Sequence, residues 1–138
     1  MSYPQQAIDS ILNLPADKRC VHALKNIAEA ETLYVLADDE GECRFWTDGD
    51  ERETFLAVWP EQVFAEMMKS EGESVWEFEL EEFLQDSVPW LMKEGCGISV
   101  FPVAGQSDGV VMPAVEFAAR INTILDESYG EAFDLPYL

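Results

Sequence analysis

Acid–base chemistry needs titratable groups held within hydrogen-bond reach, and outside its carboxylates this chain offers few. Its one histidine, His22, is set among Lys18, Arg19 and Lys25, and cationic neighbours lower an imidazole's basicity. The nearest thiol, Cys20, stands two positions away, which on a helix turns the two side chains about 200° apart. A His-dependent nucleophilic triad is therefore not expected.

Carboxylates are abundant. Glu77, Glu79 and Glu81 occupy alternate positions, and on a strand such positions lie roughly 6.5 to 7 Å apart, a separation that acid and base pairs use on sugars. A functional acid also needs burial to raise its pKa. Here the acids alternate with Trp76, Phe78 and Leu80, which predicts a greasy inner face and a solvated acidic one.

Asp38-Asp39-Glu40 and Asp48-Gly49-Asp50-Glu51 present oxygen donors of the kind that hold Ca²⁺ or Mg²⁺. Neither matches an EF-hand, because the required Gly and the distal Glu fall out of register. Cys20, Cys43 and Cys96 are odd in number, widely spaced and without a C-x-x-C pair, so a structural zinc site is not expected. Ordinary buried thiols in a reducing cytoplasm fit better. No glycine-rich phosphate loop is present. The sequence thus nominates no catalytic, cofactor-binding or metal residue, and no cofactor. The four tryptophans, Trp46, Trp59, Trp76 and Trp90, read as core residues, with an aromatic ligand groove as the alternative.

Charge is the feature that constrains partners. The formal net charge is -20 over 138 residues. Residues 1–30 balance at zero, residues 31–95 carry 4 basic against 19 acidic side chains, and the remainder carries 1 against 6. Eight Lys and Arg against 28 Asp and Glu repel phosphate backbones and anionic membranes. A basic protein surface is attracted instead, by a field that salt weakens. The exposed acids expected to meet it are Asp38, Asp39, Glu77, Glu79 and Glu81.

The elements that position these residues follow from periodicity. Ile8, Ile11 and Leu12 predict a short first helix that stops at Pro15. A second starts there with Cys20, Val21, Leu24, Ile27 and Ala28 as its buried stripe, leaving Lys18, Arg19, His22 and Lys25 on solvated faces. Strands at 32–37, 44–47 and 54–59 read as a three-stranded meander. Pro60 opens a helix with Val63, Phe64, Met67 and Met68 inward, ending at Gly72. Residues 75–80 form the clearest strand, and a helix begins at Glu81. Pro89 is expected to break that helix, starting a separate short turn with Trp90, Leu91 and Met92. A strand at 98–103, with Pro102 marking an edge or an end, precedes a short apolar run at 110–112. The last helix opens at Pro113 with Ala114, Phe117, Ala118, Ile121, Ile124 and Leu125 on one stripe.

The sum is one α+β domain over residues 1–138, a small mainly antiparallel sheet of four to five strands packed with four to five helices. Residues 129–138 form an apolar C-terminal tail expected to pack on its own domain, with a detachable ligand or a strand lent to another subunit as alternatives. No run is apolar enough to cross a bilayer, and residues 1–10 lack a signal-peptide pattern. A soluble cytoplasmic protein is expected.

Several of these residues together resemble a known family. They are Leu33-Tyr34-Val35-Leu36 running into Asp38-Asp39-Glu40-Gly41, the joint Val58-Trp59-Pro60-Glu61 with Phe64-Ala65, the run 80–83, Trp90-Leu91, Gly95 and Val100-Phe101-Pro102. The pattern is similar to the uncharacterised bacterial domain-of-unknown-function 2750 family over roughly residues 15–126, with Tyr34 where the family pattern has Trp. The resemblance implies a small intracellular bacterial protein and transfers no catalytic role to any residue. Two functions are carried forward. One is a non-enzymatic acidic module that binds a basic partner surface; the other is a small-ligand binder or carboxylate-based enzyme with a Trp-lined groove. Self-association is possible through the basic helix or the tail, but the charge opposes it.

Overall fold

Proline and glycine punctuation sets most of the element boundaries. The computed structural model describes residues 5–39, 45–47, 54–69, 71–102, 110–130 and 132–138. The expected sites at Glu40, Cys43 and 48–51 lie outside them, as does the side chain of Trp46. Helix α1 (Gln5–Leu12) is separated by Pro15 from α2 (Ala16–Ala30), whose C-cap Glu31 adopts a left-handed conformation. Strand β1 (Thr32–Ala37) follows, then β2 (Phe45–Thr47) and β3 (Thr54–Val58). Helix α3 (Gln62–Met68) leads to β4 (Ser74–Glu79). A continuous helical rod comes next: α4 (Leu80–Glu82), a π-helical segment (Phe83–Ser87) and α5 (Val88–Glu94). The chain finishes with β5 (Gly97–Val100), β6 (Val110–Pro113), α6 (Ala114–Tyr129) and the tail.

The architecture is α+β, with one mixed sheet in the order β2-β3-β5-β6 and one antiparallel pair, β1-β4. The meander reading is corrected. β1 pairs with β4, not β2, in the register Tyr34↔Glu77 and Val35↔Trp76. Just past β3, Trp59 forms a β-bridge with Tyr34 of β1. β3 and β5 are parallel, so the strand ending before Pro102 is central and the proline lies just past its end.

Leu56, Ile98 and Met112 are register partners across the sheet. All three are buried in a core shared with Leu24 and Ile27 of α2 and with Phe117 and Ile121 of α6. The α6 stripe follows the sequence reading. That of α2 is shifted: Val21 is 43% exposed, whereas Arg19 is 1% exposed and Ala23 is buried. Met67 of α3 is likewise exposed, and Phe64 and Ala65 carry the contact.

Pro89 does not break the rod. Within the π segment the Val88 N–H bonds to the carbonyl of Phe83, five residues back. The wider turn accommodates a residue that has no N–H to donate. Tryptophan placement also differs from expectation. Trp59 is fully buried, but Trp76 is 40% and Trp90 50% exposed. Trp76 lies opposite buried Val35 on β4, a strand paired on one side only among the described residues, so its outer apolar positions are half covered.

Candidate functional site

The Trp59-Pro60-Glu61 joint organises the most polar part of the interior edge. Trp59 exchanges backbone hydrogen bonds with Tyr34 at 3.0 and 2.9 Å, and its indole N–H donates to the Pro102 carbonyl at 3.0 Å. The chain then turns into α3 with Glu61 in the extended N-cap position, but the Glu61 side chain does not cap that helix. It reaches α2 instead. Asn26 Nδ2 donates to Glu61 Oε1 at 3.1 Å and lies 2.8 Å from His22 Nε2. His22 and Asn26 stand one helical turn apart, so they share a face.

With both amide hydrogens of Asn26 donated, His22 Nε2 accepts and the proton of the neutral ring sits on Nδ1. His22 Nε2 and Glu61 Oε1 are 3.9 Å apart, with side chains 28% and 18% exposed. Burial lowers the His22 pKa. Burial also raises that of Glu61, against the lowering effect of the Asn26 hydrogen bond. Each partner is thus biased toward its neutral form, and the dominant cause is desolvation rather than the neighbouring cations.

This polar joint runs on into the acidic strand. The Tyr34 hydroxyl donates to Glu77 Oε1 at 2.9 Å. The Tyr34 pKa is raised, first by burial, then by Glu77, with Glu61 contributing. Glu77 and Glu79 are exposed on one face of β4. Glu81 lies beyond the end of the strand, on α4, and accepts from Gln85 Nε2 at 3.1 Å. Asp38 and Asp39 are exposed at the far end of β1, past Ala37, whose partner is Ser74. Six residues at roughly 3.3 Å each separate the two ends. The structure therefore brings Glu77 and Glu79 together and sets Asp38 and Asp39 apart from them.

Arg19, read from sequence as a solvated residue, is inside. Its Nε donates to the Phe101 carbonyl at 3.1 Å, its Nη1 to the Leu14 carbonyl at 3.0 Å, and its guanidinium lies 5.7 Å from the Phe101 ring centroid. Phe101 takes a left-handed φ of 56° just after β5, and the Arg19 contact holds that bend. Burial raises the thiol pKa of both Cys20 and Cys96, which suits inert thiols rather than nucleophiles.

One groove, of about 470 Å³, is lined by Phe55, Met92, Cys96, Val111 and Val115 among others. A second cavity, of about 480 Å³, lies between Gln85, Asp86, Pro89 and the tail. Neither includes a tryptophan, and Asp86 and Asp134 in the second are exposed. Among the described residues no three His, Cys, Asp or Glu side chains converge as metal ligands, and no helix is long and apolar enough to cross a membrane.

Sequence reasoning missed the grouping of Asn26, Tyr34 and Glu61 with His22. The available signal was the four-residue spacing of His22 and Asn26 together with the acid in the Trp-Pro joint. Fold and surface define a small α+β protein with a polar joint continuous with an acidic strand face. The family profile described as "Protein of unknown function (DUF2750)" matches residues 20–121, and the chain belongs to that family. No curated protein and no solved structure matches it.

Proposed function

We propose that this protein is a non-enzymatic acidic interaction module that binds a basic surface on a protein partner. The observation that carries the reading is the outward face of β4. There Glu77 and Glu79 are exposed on a strand paired only with β1 among the described residues, and Glu77 is held in place by the Tyr34 hydroxyl. A fixed carboxylate loses less side-chain entropy on pairing than a free one.

Glu81 extends this surface, and Asp38 and Asp39 add long-range attraction from the far end of the β1–β4 pair. The same charge argues against direct contact with nucleic acid or anionic membranes. Free Cys20 and Cys96, with thiol pKa values raised by burial, fit the cytoplasm of a bacterial cell.

The test is retention of native-lysate proteins on immobilised protein across a salt series. The wild type is compared with a Glu77→Lys/Glu79→Lys variant whose melting curve is unchanged. A basic partner that is lost at high salt and lost on charge reversal supports the module. A partner retained equally in both cases, or no partner at low salt, overturns it.

A further inference from the structure

We propose that the partner of the interaction module, on which reading this rests, docks as an extended segment added to the open edge of β4, with basic residues at alternate positions. β4 pairs with β1 alone among the described residues, and the phase of that ladder decides which backbone groups face outward. The Leu80 N–H donates to the Glu31 carbonyl at 2.8 Å, one step beyond the Thr32↔Glu79 end of the register. Bonded and non-bonded pairs alternate in an antiparallel ladder. Phe78 and Trp76 therefore bond to Leu33 and Val35, while Glu79, Glu77 and Val75 turn away from β1. The far side of β1 agrees: Tyr34, opposite Glu77, turns its own backbone outward and exchanges both bonds with Trp59. The N–H and carbonyl of Val75 and Glu77 and the N–H of Glu79 thus point at an edge that no described strand occupies. The Glu79 carbonyl, at the N-cap of α4, serves that helix.

Side chains then set the sequence of the added segment. Glu77 and Glu79 share one face and are exposed, and residues directly opposite them on an added strand stand with Cβ atoms about 5 Å away, within reach of Lys or Arg. The residue between those two falls on the other face, beside Trp76, which is 40% exposed, so an apolar side chain suits it. Ser74–Glu79 contains no proline, one of the devices that blunts a strand edge. Its glutamates oppose a second copy of this chain instead, because self-pairing about Glu77 sets like charges against each other. A basic segment meets no such penalty.

Two blocked synthetic peptides of equal charge separate strand addition from attraction alone: one alternates lysine with valine, and the other carries the same side chains on an N-methylated backbone. Amide hydrogen exchange of the full chain is followed by NMR. In the free protein Trp76 and Phe78 are expected to exchange slowly, and Val75, Glu77 and Glu79 fast. At about a hundred times its Kd the unmethylated peptide should slow those three amides about a hundredfold, and the methylated one should leave them unchanged. Glu77→Gln/Glu79→Gln should weaken binding on the order of fivefold, with slow Trp76 and Phe78 amides showing that its β1–β4 ladder is intact. Equal, salt-sensitive binding of both peptides without protection of the three amides overturns strand addition and leaves the acidic module standing. Binding of neither peptide, or protection of the three amides that rises with protein concentration alone and so marks a second copy at the edge, also overturns it, whereas the module itself is decided by the lysate partner.

Discussion

The Tyr137 hydroxyl donates a 2.7 Å hydrogen bond to the Leu84 carbonyl, a backbone acceptor whose π-helical donor would be the N–H of residue 89, which is proline. The tail thus satisfies an acceptor that the rod's own sequence leaves open. Asn122 secures the approach: its side-chain amide donates to the Phe133 carbonyl at 2.9 Å, and its Oδ1 accepts from the Phe133 N–H at 2.8 Å. Leu135, between these two ties, is buried with the core. The segment that sequence alone left as packed tail, detachable ligand or swapped strand is, in this chain, packed on its own fold. Tyr129 belongs to α6 rather than to the tail.

Tyr137→Phe should therefore lower stability by about 1–2 kcal/mol, the cost of stranding a partly buried acceptor. Pro89→Ala restores an N–H at the position from which Leu84 can be served, so in that background the same change should cost less. Urea denaturation of the four proteins of the cycle measures the coupling, and strict additivity would contradict the assignment. The Tyr137 phenol is pushed up to about 12 by burial. A raised folded value means that the contribution is complete below about 10 and fades as pH climbs toward 12. Alkaline destabilisation over that range should be smaller in Tyr137→Phe than in wild type.

Arg19 makes a different demand on chemistry, because two carbonyls from different segments are served by two nitrogens of one planar group. Arg19→Met should cost about 2–4 kcal/mol through the abandoned Phe101 and Leu14 carbonyls. Arg19→Lys should fall closer to Met than to wild type, since a single ammonium cannot span both sites. A fully stable Lys variant in guanidinium denaturation would show that charge alone is what the position requires.

Legibility in the sequence tracked how local each relationship is. The Phe117, Ile121 and Leu125 stripe of α6 is one helical period repeated, and it is buried as read. The alternation of β4 was equally visible, but its partner was not: residues 38–73 separate the two strands, and sequence order favoured a nearer neighbour for β1. Arg19 was misread because residue type predicts exposure, whereas the carbonyl that fixes it comes from Phe101, 82 positions away. Pro89 was misread because the breaking rule assumes α-helical spacing. At the candidate site the Trp-Pro-Glu joint stood out as a motif. Its partner Asn26 on α2 lies 35 residues earlier, and the joint is brought into place by long-range contacts: the bridge between Tyr34 and Trp59 and the Trp59 bond to Pro102.

The His22 and Glu61 pair predicts an unusual pH profile. His22 titrates lower in the folded chain than its ordinary 6.5. The unfolded chain takes up that proton first, so His22 makes stability fall as pH drops below 6.5. Glu61 titrates above its ordinary 4.5. The folded chain holds that proton longer, so Glu61 makes stability fall as pH rises from 4.5. Between these values the two slopes oppose each other, so each masks part of the other in the wild type. Removing one partner should expose the other. Relative to wild type, Glu61→Gln should lose stability more steeply on acidification from pH 6.5, and His22→Asn should gain stability as pH falls toward 4.5. Differences from wild type cancel the background of the remaining acids. Melting temperatures at half-unit pH intervals give both slopes, and variants whose slopes match the wild type would dissociate the two groups from each other and from their burial.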